Sequence, residues 1–156
     1  MSSVDLDSTL QLYPLESLRQ MSTFGAVSDA FIKQALSLSQ IINLKKGEIL
    51  FKKGDNPDEF FIVLEGNITV YDTTNTGQHI IRTTETGESI GFSSMIGLRP
   101  RLFSGAASYK CTVLRISSRA FAELYDWDLQ QFAIFFMNLS RDMSRFLRDS
   151  TYSNEK

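Results

Sequence analysis

The sequence predicts a mainly β fold with helices at both ends, and two features of the chain lead to this prediction. Between residues 41 and 116, short apolar runs are interrupted by glycine, asparagine or aspartate at intervals of roughly 8–12 residues. This spacing is typical of an antiparallel sandwich or barrel, because a parallel sheet would need helices between its strands. Before residue 41 and after residue 116 the apolar residues recur with helical spacing, so helices are expected to flank the strands.

The segment before the strands is predicted to be partly helical. Its leucines have a loosely helical spacing (Leu10, Leu12, Leu15 and Leu18). Ser28 and Asp29 form an N-capping signal for a further helix, whose apolar residues are Phe31, Ile32, Ala35, Leu36 and Leu38. The chain therefore enters the strand region through a short helix.

Turn residues separate the predicted strands from one another. The segment Asn75-Thr76-Gly77 is the strongest turn signal, because asparagine and glycine tolerate the backbone conformations that tight turns need. The strands are predicted at residues 41–44, 49–51, 60–64, 68–71, 79–83 and 111–116.

Two helices are predicted after the last strand. Ser117 and Ser118 can cap a short helix, and a longer helix is expected from about Asp128 to Arg148. Apolar residues in the longer helix recur at spacings of 4, 3, 4 and 3 (Phe132, Phe136, Leu139, Met143 and Phe146). Such a stripe packs either on the chain's own barrel or on the same helix of a second subunit. The periodicity leaves both interpretations open.

The composition argues against an enzyme. One histidine, His79, and one cysteine, Cys111, supply neither a nucleophile–base pair nor a set of metal ligands. Cys111 is interpreted as a buried structural residue of a strand. Glu85 and Glu88 lie at a turn and are interpreted as solvated surface carboxylates. We therefore predict a non-enzymatic protein that holds no cofactor and no metal.

The net charge and the hydropathy of the chain limit which partners and which cellular location are expected for it. A formal net charge of −2 argues against broad nonspecific nucleic-acid binding, which depends on Lys and Arg. No apolar run approaches the ~20 residues that cross a bilayer. The N-terminus is polar and acidic, unlike a signal peptide. We expect a cytoplasmic protein that binds neither membranes nor DNA directly.

Residues 87–106 contain the most specific pattern in the chain. A strand-like run ends at Gly91, a short helical turn can begin at Ser93 or Ser94, and Arg101 follows in a loop. Glycine allows backbone N–H groups to approach a ligand closely, and a guanidinium can pair with a phosphate. The segment is therefore predicted to form an anion-binding cradle.

From about residue 24 to residue 148 the chain resembles the cyclic nucleotide-binding domain, the regulatory jelly roll of bacterial catabolite activator proteins and cyclic-nucleotide-dependent kinases. The matching segments follow the family's order and spacing, at residues 46–51, 54–55, 61–66, 87–91, 100–101 and 111–121. The resemblance implies an antiparallel β jelly roll (double-stranded β-helix) with N-terminal helices and a long C-terminal helix. It divides the chain into an N-terminal extension at 1–23, partly helical or disordered, a domain at 24–148 and a polar tail at 149–156. Because little sequence follows the long helix, we expect a stand-alone domain without a DNA-reading domain.

The resemblance also assigns roles to residues of the predicted cradle. Relatives that bind cyclic AMP or cyclic GMP contain a phosphate-binding cassette with a conserved order of residues. In it, a glutamate that follows a glycine binds the ribose, and a later arginine pairs with the cyclic phosphate. Gly91 and Arg101 match the glycine and the arginine, whereas Phe92 replaces the glutamate and cannot accept a hydrogen bond. The candidate ligand-binding residues are Gly91, Phe92, Ser93, Ser94, Arg99, Arg101 and Ser104.

The replacement of the glutamate leaves alternatives open for the ligand. Phe92 can occupy the pocket itself, or it can stack on a base in a different pose. An aromatic ring together with Arg99 and Arg101 would also be compatible with a cyclic dinucleotide such as cyclic di-GMP. The sequence does not choose between these outcomes.

Together these features predict a bacterial regulatory or sensor module that binds a cyclic nucleotide or cyclic dinucleotide and signals through its C-terminal helix. The alternative is a lapsed ligand site in a dimerisation or protein-interaction module. The resemblance favours a homodimer through the stripe of the long helix (Phe132, Phe136, Leu139, Met143 and Phe146). A downstream protein partner is expected in either case.

Overall fold

The computed structural model describes residues 5–153, with side chains described through residue 150. Helices α1 (Leu6–Leu12), α2 (Leu15–Arg19) and α3 (Asp29–Ser37) precede the strands, with a 3-10 turn at Ser22–Phe24 between α2 and α3. The predicted cap of α3 is present, because the Ser28 hydroxyl accepts a hydrogen bond from the backbone N–H of Phe31 at 3.1 Å. The earliest residues of the predicted extension, 1–4, lie outside the described residues.

The strands form two four-stranded antiparallel sheets, ordered β1-β8-β3-β6 and β2-β7-β4-β5. Their bounds are β1 (Gln40–Leu44), β2 (Ile49–Phe51), β3 (Glu59–Glu65), β4 (Ile68–Thr74), β5 (Gly77–Thr84), β6 (Ser89–Ile90), β7 (Ser104–Ala107) and β8 (Cys111–Ser117). Apart from the β4–β5 hairpin, neighbouring strands are not consecutive in the chain, as in a jelly roll. The predicted fold class, a β jelly roll flanked by N-terminal helices and a long C-terminal helix, is confirmed.

Strand β3 is buried on both faces and therefore divides the core into two clusters. Phe61 and Val63 belong to the inter-sheet cluster, which also contains Phe51, Ile68, Val70 and Val113. Phe60 and Ile62 point to the opposite face, into the helix-side cluster with Leu18, Phe31, Phe121, Phe135 and Leu139. Successive side chains of a strand alternate between faces, so one strand supplies both clusters. The helices thus form a third layer against the β1-β8-β3-β6 sheet.

The remaining helices are α4 (Phe92–Gly97), which lies between β6 and β7, and α5 (Ser118–Trp127) and α6 (Leu129–Ser153), which follow β8. Ser117 caps α5, accepting from the N–H of Ala120 at 3.0 Å, and Asp128 accepts from the N–H of Gln131 at 3.1 Å where α6 begins. Helix α6 continues past residue 148 to Ser153, so the first part of the predicted polar tail is helical. Residues 154–156 lie outside the described residues.

Helix α6 packs on the N-terminal segment as well as on the barrel. The Asn138 side chain donates to the carbonyl oxygens of Thr23 and Gly25 at 3.1 and 2.7 Å. Leu18 from the predicted extension is fully buried in the helix-side cluster. The packing is therefore continuous across the predicted boundary at residue 24. Within residues 5–153, no helix has the length and apolar character needed to span a bilayer.

Candidate ligand site between the cassette and helix α6

The segment from Ser89 to Arg101, called the cassette here, turns sharply at Gly91. Gly91 has φ +84° and is the residue before α4, which begins at Phe92 rather than at Ser93 or Ser94. No side chain caps this helix. A Cβ atom at position 91 would lie 2.7 Å from Nη1 of Arg101. Both the left-handed backbone and the close approach of the guanidinium therefore require glycine.

Arg101 points into the protein and links the cassette to β3. Its Nη1 donates to the carbonyl oxygen of Gly91 at 2.6 Å, and its Nη2 donates to the carbonyl oxygen of Glu59. The guanidinium carbon also lies 5.1 Å from the centroid of the Phe51 ring. The side chain is 3% exposed, and its Nε–H has no hydrogen-bond partner among the described residues.

The charge of Arg101 is compensated within the chain. Burial lowers the pKa of the guanidinium from its usual value, and the nearby carboxylates of Glu59, Asp55 and Asp58 oppose that effect. Arginine remains protonated under these conditions. The cassette arginine therefore has carbonyl acceptors and nearby carboxylates within its own chain.

Phe92 packs into the helix-side cluster. Its side chain is 2% exposed, and its ring lies against three other rings at centroid distances of 5.3, 5.6 and 5.8 Å (Phe60, Phe121 and Phe136). All three arrangements are edge-to-face, the favoured geometry for aromatic pairs. The position that holds a glutamate in nucleotide-binding relatives is therefore part of the hydrophobic core in this chain.

A cavity of about 520 Å³ lies between the cassette and α6. The cassette side and the loop after it contribute Ile90, Phe92, Leu102 and Phe103, and α6 contributes Met143, Phe146 and Leu147. Volumes of about 300–1,000 Å³ are usual for small-molecule sites. The cavity is thus large enough for a ligand, and α6 forms one of its walls.

The structure divides the predicted ligand-binding residues into two groups. One group lines the cavity (Gly91, Phe92 and Ser93), and the other does not (Ser94, Arg99, Arg101 and Ser104). Arg99 is exposed to solvent in the loop after α4. The Ser104 hydroxyl is buried and accepts from the backbone N–H of Lys53 at 3.0 Å. The two predicted arginines are therefore not brought together at the cavity.

Asp142 on α6 is a central residue of this region that the sequence analysis missed. The side chain is 3% exposed and lines the cavity. Its oxygens accept hydrogen bonds from Ser22 at 3.0 Å, from Thr23 at 3.2 Å and from Arg145. Ser89 donates to it twice, from its backbone N–H at 3.0 Å and its hydroxyl at 2.8 Å. A carboxylate between Leu139 and Phe146 on the apolar face of the helix was the available signal.

Glu88 is buried rather than solvated, which corrects the expectation for this residue. It is 7% exposed and accepts hydrogen bonds from Nη2 of Arg82 at 3.0 Å and from the N–H of Glu85 at 2.9 Å. Arg82 also reaches Asp149 on α6 at 2.9 Å. A glutamate at a turn becomes buried here because α6 covers that turn and brings Arg145 to within 3.8 Å. A second cavity of about 610 Å³ adjoins these paired charges.

The stripe predicted as a dimer interface lies largely against the chain's own core. Phe132 and Leu139 are buried in the helix-side cluster, and Met143 packs against it. Phe146 packs against the inter-sheet cluster. Phe136 is 37% exposed. Within a single chain, the side chains of this stripe thus have intramolecular partners, and Phe136 retains the most exposed surface.

Cys111 and the acidic residues do not form a reactive or metal-binding cluster in the part of the chain that is described. Cys111 is buried in β8, and burial together with the charge of Glu65 raises the pKa of its thiol to about 11. No group of three or more His, Cys, Asp and Glu side chains within residues 5–153 is arranged to hold a metal ion.

Two longer proteins are similar in sequence to most of this chain. The neuropathy target esterase sws of Drosophila grimshawi is 32% identical over a 126-residue alignment that covers 74% of this chain and 8% of that protein. The potassium channel AKT1 of Oryza sativa subsp. indica is 23% identical over a 132-residue alignment that covers 79% of this chain and 14% of the channel. The chain therefore spans a small fraction of the length of these relatives.

Solved structures share the fold over most of the chain. A cyclic nucleotide-binding domain from Methylobacillus flagellatus has a TM-score of 0.79 and 24% identity, covering 92% of this chain and 81% of that one. The catabolite activator protein of Thermus thermophilus has a TM-score of 0.71 and 20% identity, covering 86% and 62%. The c-di-GMP responsive regulator CLP of Xanthomonas campestris has a TM-score of 0.72 and 18% identity, covering 82% and 63%.

The sequence profile of the cyclic nucleotide-binding domain matches residues 41–128, which is more than half of the chain. The matched range runs from β1 to the end of α5 and includes the whole cassette. The jelly roll and the glycine turn at Gly91 agree with that match. The chain belongs to the cyclic nucleotide-binding domain family.

Proposed function

We propose that this chain is a non-enzymatic regulatory module that senses a small molecule in the cavity between the cassette and α6. One observation carries this proposal: α6 forms a wall of the cavity and is also hydrogen-bonded, through Asp142, to Ser89 at the start of the cassette. A ligand that enters the cavity must contact both elements. Its occupancy would then bias the packing of α6, provided that the ligand prefers one packing to the other.

A cyclic nucleotide or cyclic dinucleotide is the ligand class that family membership favours. In this chain, Arg101 occupies the family's phosphate-binding position but donates to the carbonyl oxygens of Gly91 and Glu59. A cyclic phosphate would have to replace those acceptors. Binding of such a ligand would therefore be coupled to a rearrangement of the cassette turn, which is itself a route to α6 through Ser89.

Thermal shift combined with hydrogen exchange tests the sensing proposal. The purified chain is screened against cyclic AMP, cyclic GMP and cyclic di-GMP. A ligand that binds only the folded state adds about 2.7 kcal/mol at a hundred times its dissociation constant, which is a shift of several degrees. We expect that a bound ligand also changes amide exchange in α6. Binding that leaves α6 exchange unchanged would contradict signalling through this helix.

A dimerisation module is the second candidate, and a specific surface of α6 favours it. Leu129, Ala133, Phe136, Ser140 and Leu147 share one side of the helix. Leu129, Phe136 and Leu147 are 57%, 37% and 70% exposed. Small residues between the larger ones allow a second helix to approach closely. We propose that a homodimer, or a downstream protein, uses this side of α6 rather than the buried stripe.

Sedimentation velocity tests the dimer with a matched pair of variants. Ala133→Glu introduces a charge on the proposed side of α6, and Ala122→Glu introduces the same charge on exposed α5. Glutamate is a good helix former, so both variants are expected to fold. The Ala133 variant should be monomeric where the wild type and the Ala122 variant are dimeric. A wild-type monomer at high micromolar concentration would exclude the homodimer.

A further inference from the structure

We propose that the cavity between the cassette and α6 takes a neutral, mainly apolar small molecule, such as a medium-chain alcohol, and excludes anions. This inference rests on the proposed function, because it concerns the ligand class of the same cavity. It departs from the ligand class that family membership favours.

The walls of the cavity are apolar on both sides. Ile90, Phe92 and Phe103 line it from the cassette and the loop after it, and Met143 and Phe146 line it from α6. An apolar ligand would remove these surfaces, and its own surface, from water. The ribose and the charged ring phosphate of a cyclic nucleotide would find few hydrogen-bonding groups here.

The charge of the cavity opposes an anionic ligand. Among the lining residues of the described chain, Asp142 is the charged one, and it is an acid. Its oxygens accept hydrogen bonds from Ser22, from Ser89 and from the guanidinium of Arg145, which pairs with this charge and is not among the lining residues. A negative charge on the ligand would enter a site whose lining holds no cation, which is unfavourable where water is excluded.

Arg101 does not supply the missing positive charge. It is absent from the lining of the cavity, and both of its terminal nitrogens donate to backbone carbonyl oxygens. The nearby carboxylates of Glu59, Asp55 and Asp58 interact favourably with its charge. The anion-binding residue of the family is therefore hydrogen-bonded to backbone carbonyl groups and does not line the cavity in this chain.

A polar end of the ligand has one suitable partner. Ser93 lines the cavity at the first turn of α4 and is exposed. Its hydroxyl makes no hydrogen bond with another described residue, so it can donate to or accept from a neutral hydroxyl. Ser150 also lines the cavity, and its hydroxyl already donates to the carbonyl oxygen of Phe146 at 2.7 Å.

Calorimetric titration with octanol and octanoate tests the inference, because these probes share a chain and differ in charge. We expect octanol to bind with a stoichiometry of one per chain, and octanoate to bind at least tenfold more weakly or not at all. Cyclic AMP should not compete with octanol. The inference is overturned if octanoate binds as tightly as octanol, or if octanol produces neither heat nor a thermal shift.

Two variants place the binding event in this cavity. Met143→Gln puts an amide on the cavity wall, and Met137→Gln makes the same change on the solvent side of α6, where Met137 is 52% exposed. Octanol affinity should fall at least fivefold in the first variant and stay unchanged in the second. Equal affinities in the two variants would show that octanol binds elsewhere.

Leu102→Arg tests the charge preference of the cavity without disturbing the core. Leu102 lines the cavity and is 64% exposed, so an arginine is tolerated there and adds a cation at the rim. Octanoate affinity should rise relative to octanol by about tenfold. An unchanged ratio would contradict the argument that the charge of the cavity sets its selectivity.

The outcomes separate this inference from the proposed function. If octanol binds and amide exchange in α6 does not change, the ligand class stands and signalling through α6 fails. If a cyclic nucleotide binds, displaces octanol and alters α6, sensing stands and the neutral ligand class fails. If none of the probes binds, both are overturned and the dimerisation module is left as the function.

Discussion

Ser89 and Asp142 join the cassette to the C-terminal helix by a pair of hydrogen bonds. Both the backbone N–H and the hydroxyl of Ser89 donate to Oδ2 of Asp142, at 3.0 and 2.8 Å. The same carboxylate accepts from Thr23 in the N-terminal 3-10 turn at 3.2 Å. Since Asp142 is almost fully buried, these bonds are shielded from water and fix α6 relative to the cassette.

We predict that Asp142→Asn loosens α6. An amide replaces one acceptor oxygen with a donor that faces Ser22, Thr23 and Ser89, so hydrogen bonds to a buried carboxylate are lost. Breaking a buried charged network by removing one partner costs about 3 kcal/mol of unfolding free energy. Urea unfolding measures the loss, and hydrogen exchange should show faster exchange in α6. Asp126→Asn, on the exposed side of α5, is the control. Equal stabilities of the two variants would contradict this role.

We predict that Gly91→Ala destabilises the cassette, whereas Gly97→Ala does not. At position 91 the backbone has φ +84° and a Cβ would collide with Nη1 of Arg101 at 2.7 Å. Such strain costs about 1–3 kcal/mol. At position 97 a Cβ meets no atom within 4 Å, and the backbone is helical. Thermal unfolding of the two variants makes the comparison. A smaller loss at 91 than at 97 would show that Arg101 moves aside without cost.

We predict that Phe92→Glu does not restore a nucleotide site. The ring is buried among Phe60, Phe121 and Phe136, so its removal costs about 3–5 kcal/mol, and a buried carboxylate without a partner adds to the loss. Ile96→Glu, on the exposed side of α4, is the matched control and should be close to wild type in stability. Circular dichroism melting measures both. A Phe92→Glu protein that melts like the wild type and binds cyclic AMP would refute the core role.

We predict that Cys111 is protected from alkylation in the folded protein. Burial raises the pKa of its thiol to about 11, so little thiolate forms in the folded state. In the unfolded chain the thiol ionises near pH ~8.5. The folded state then holds a proton that the unfolded state loses, so this group's contribution to stability falls as the pH rises from about 9 towards 11.

Iodoacetamide labelling with and without urea checks this protection. Labelling at mildly alkaline pH should require urea. Cys111→Ala should remove that part of the alkaline loss of stability which is due to the thiol. Rapid labelling of the folded protein would mean that β8 opens locally.

Local signals in the sequence predicted the elements well because their physical causes are local. The hydroxyl groups of Ser28 and Ser117 cap their helices from a distance of three residues, at 3.1 and 3.0 Å. Glycine turns and alternating burial similarly act within a few residues. The motifs that match the cyclic nucleotide-binding domain, in their order and spacing, then implied the family and its jelly roll.

Such local signals could not predict which way the side chains of the site point. Arg101 matches the family's arginine in sequence, but its acceptor Glu59 lies 42 residues away along the chain. Glu88 was interpreted as solvated because nothing near it in sequence indicated that α6 would cover the turn. Ser22 and Asp142 are 120 residues apart, so their contact depends on the complete fold.

The sequence by itself determined an antiparallel β fold, the long C-terminal helix and the glycine turn at the cassette, since these follow from periodicity and turn chemistry over short stretches. Its resemblance to a known family then implied the jelly roll. The tertiary structure alone decided that Phe92 belongs to the core, that Arg101 bonds to backbone carbonyl groups instead of lining the cavity, and that Asp142 holds α6 to Ser89. The reason is physical: a side chain's direction depends on which distant groups can bury it or satisfy its hydrogen bonds, and those groups meet only when the chain has folded.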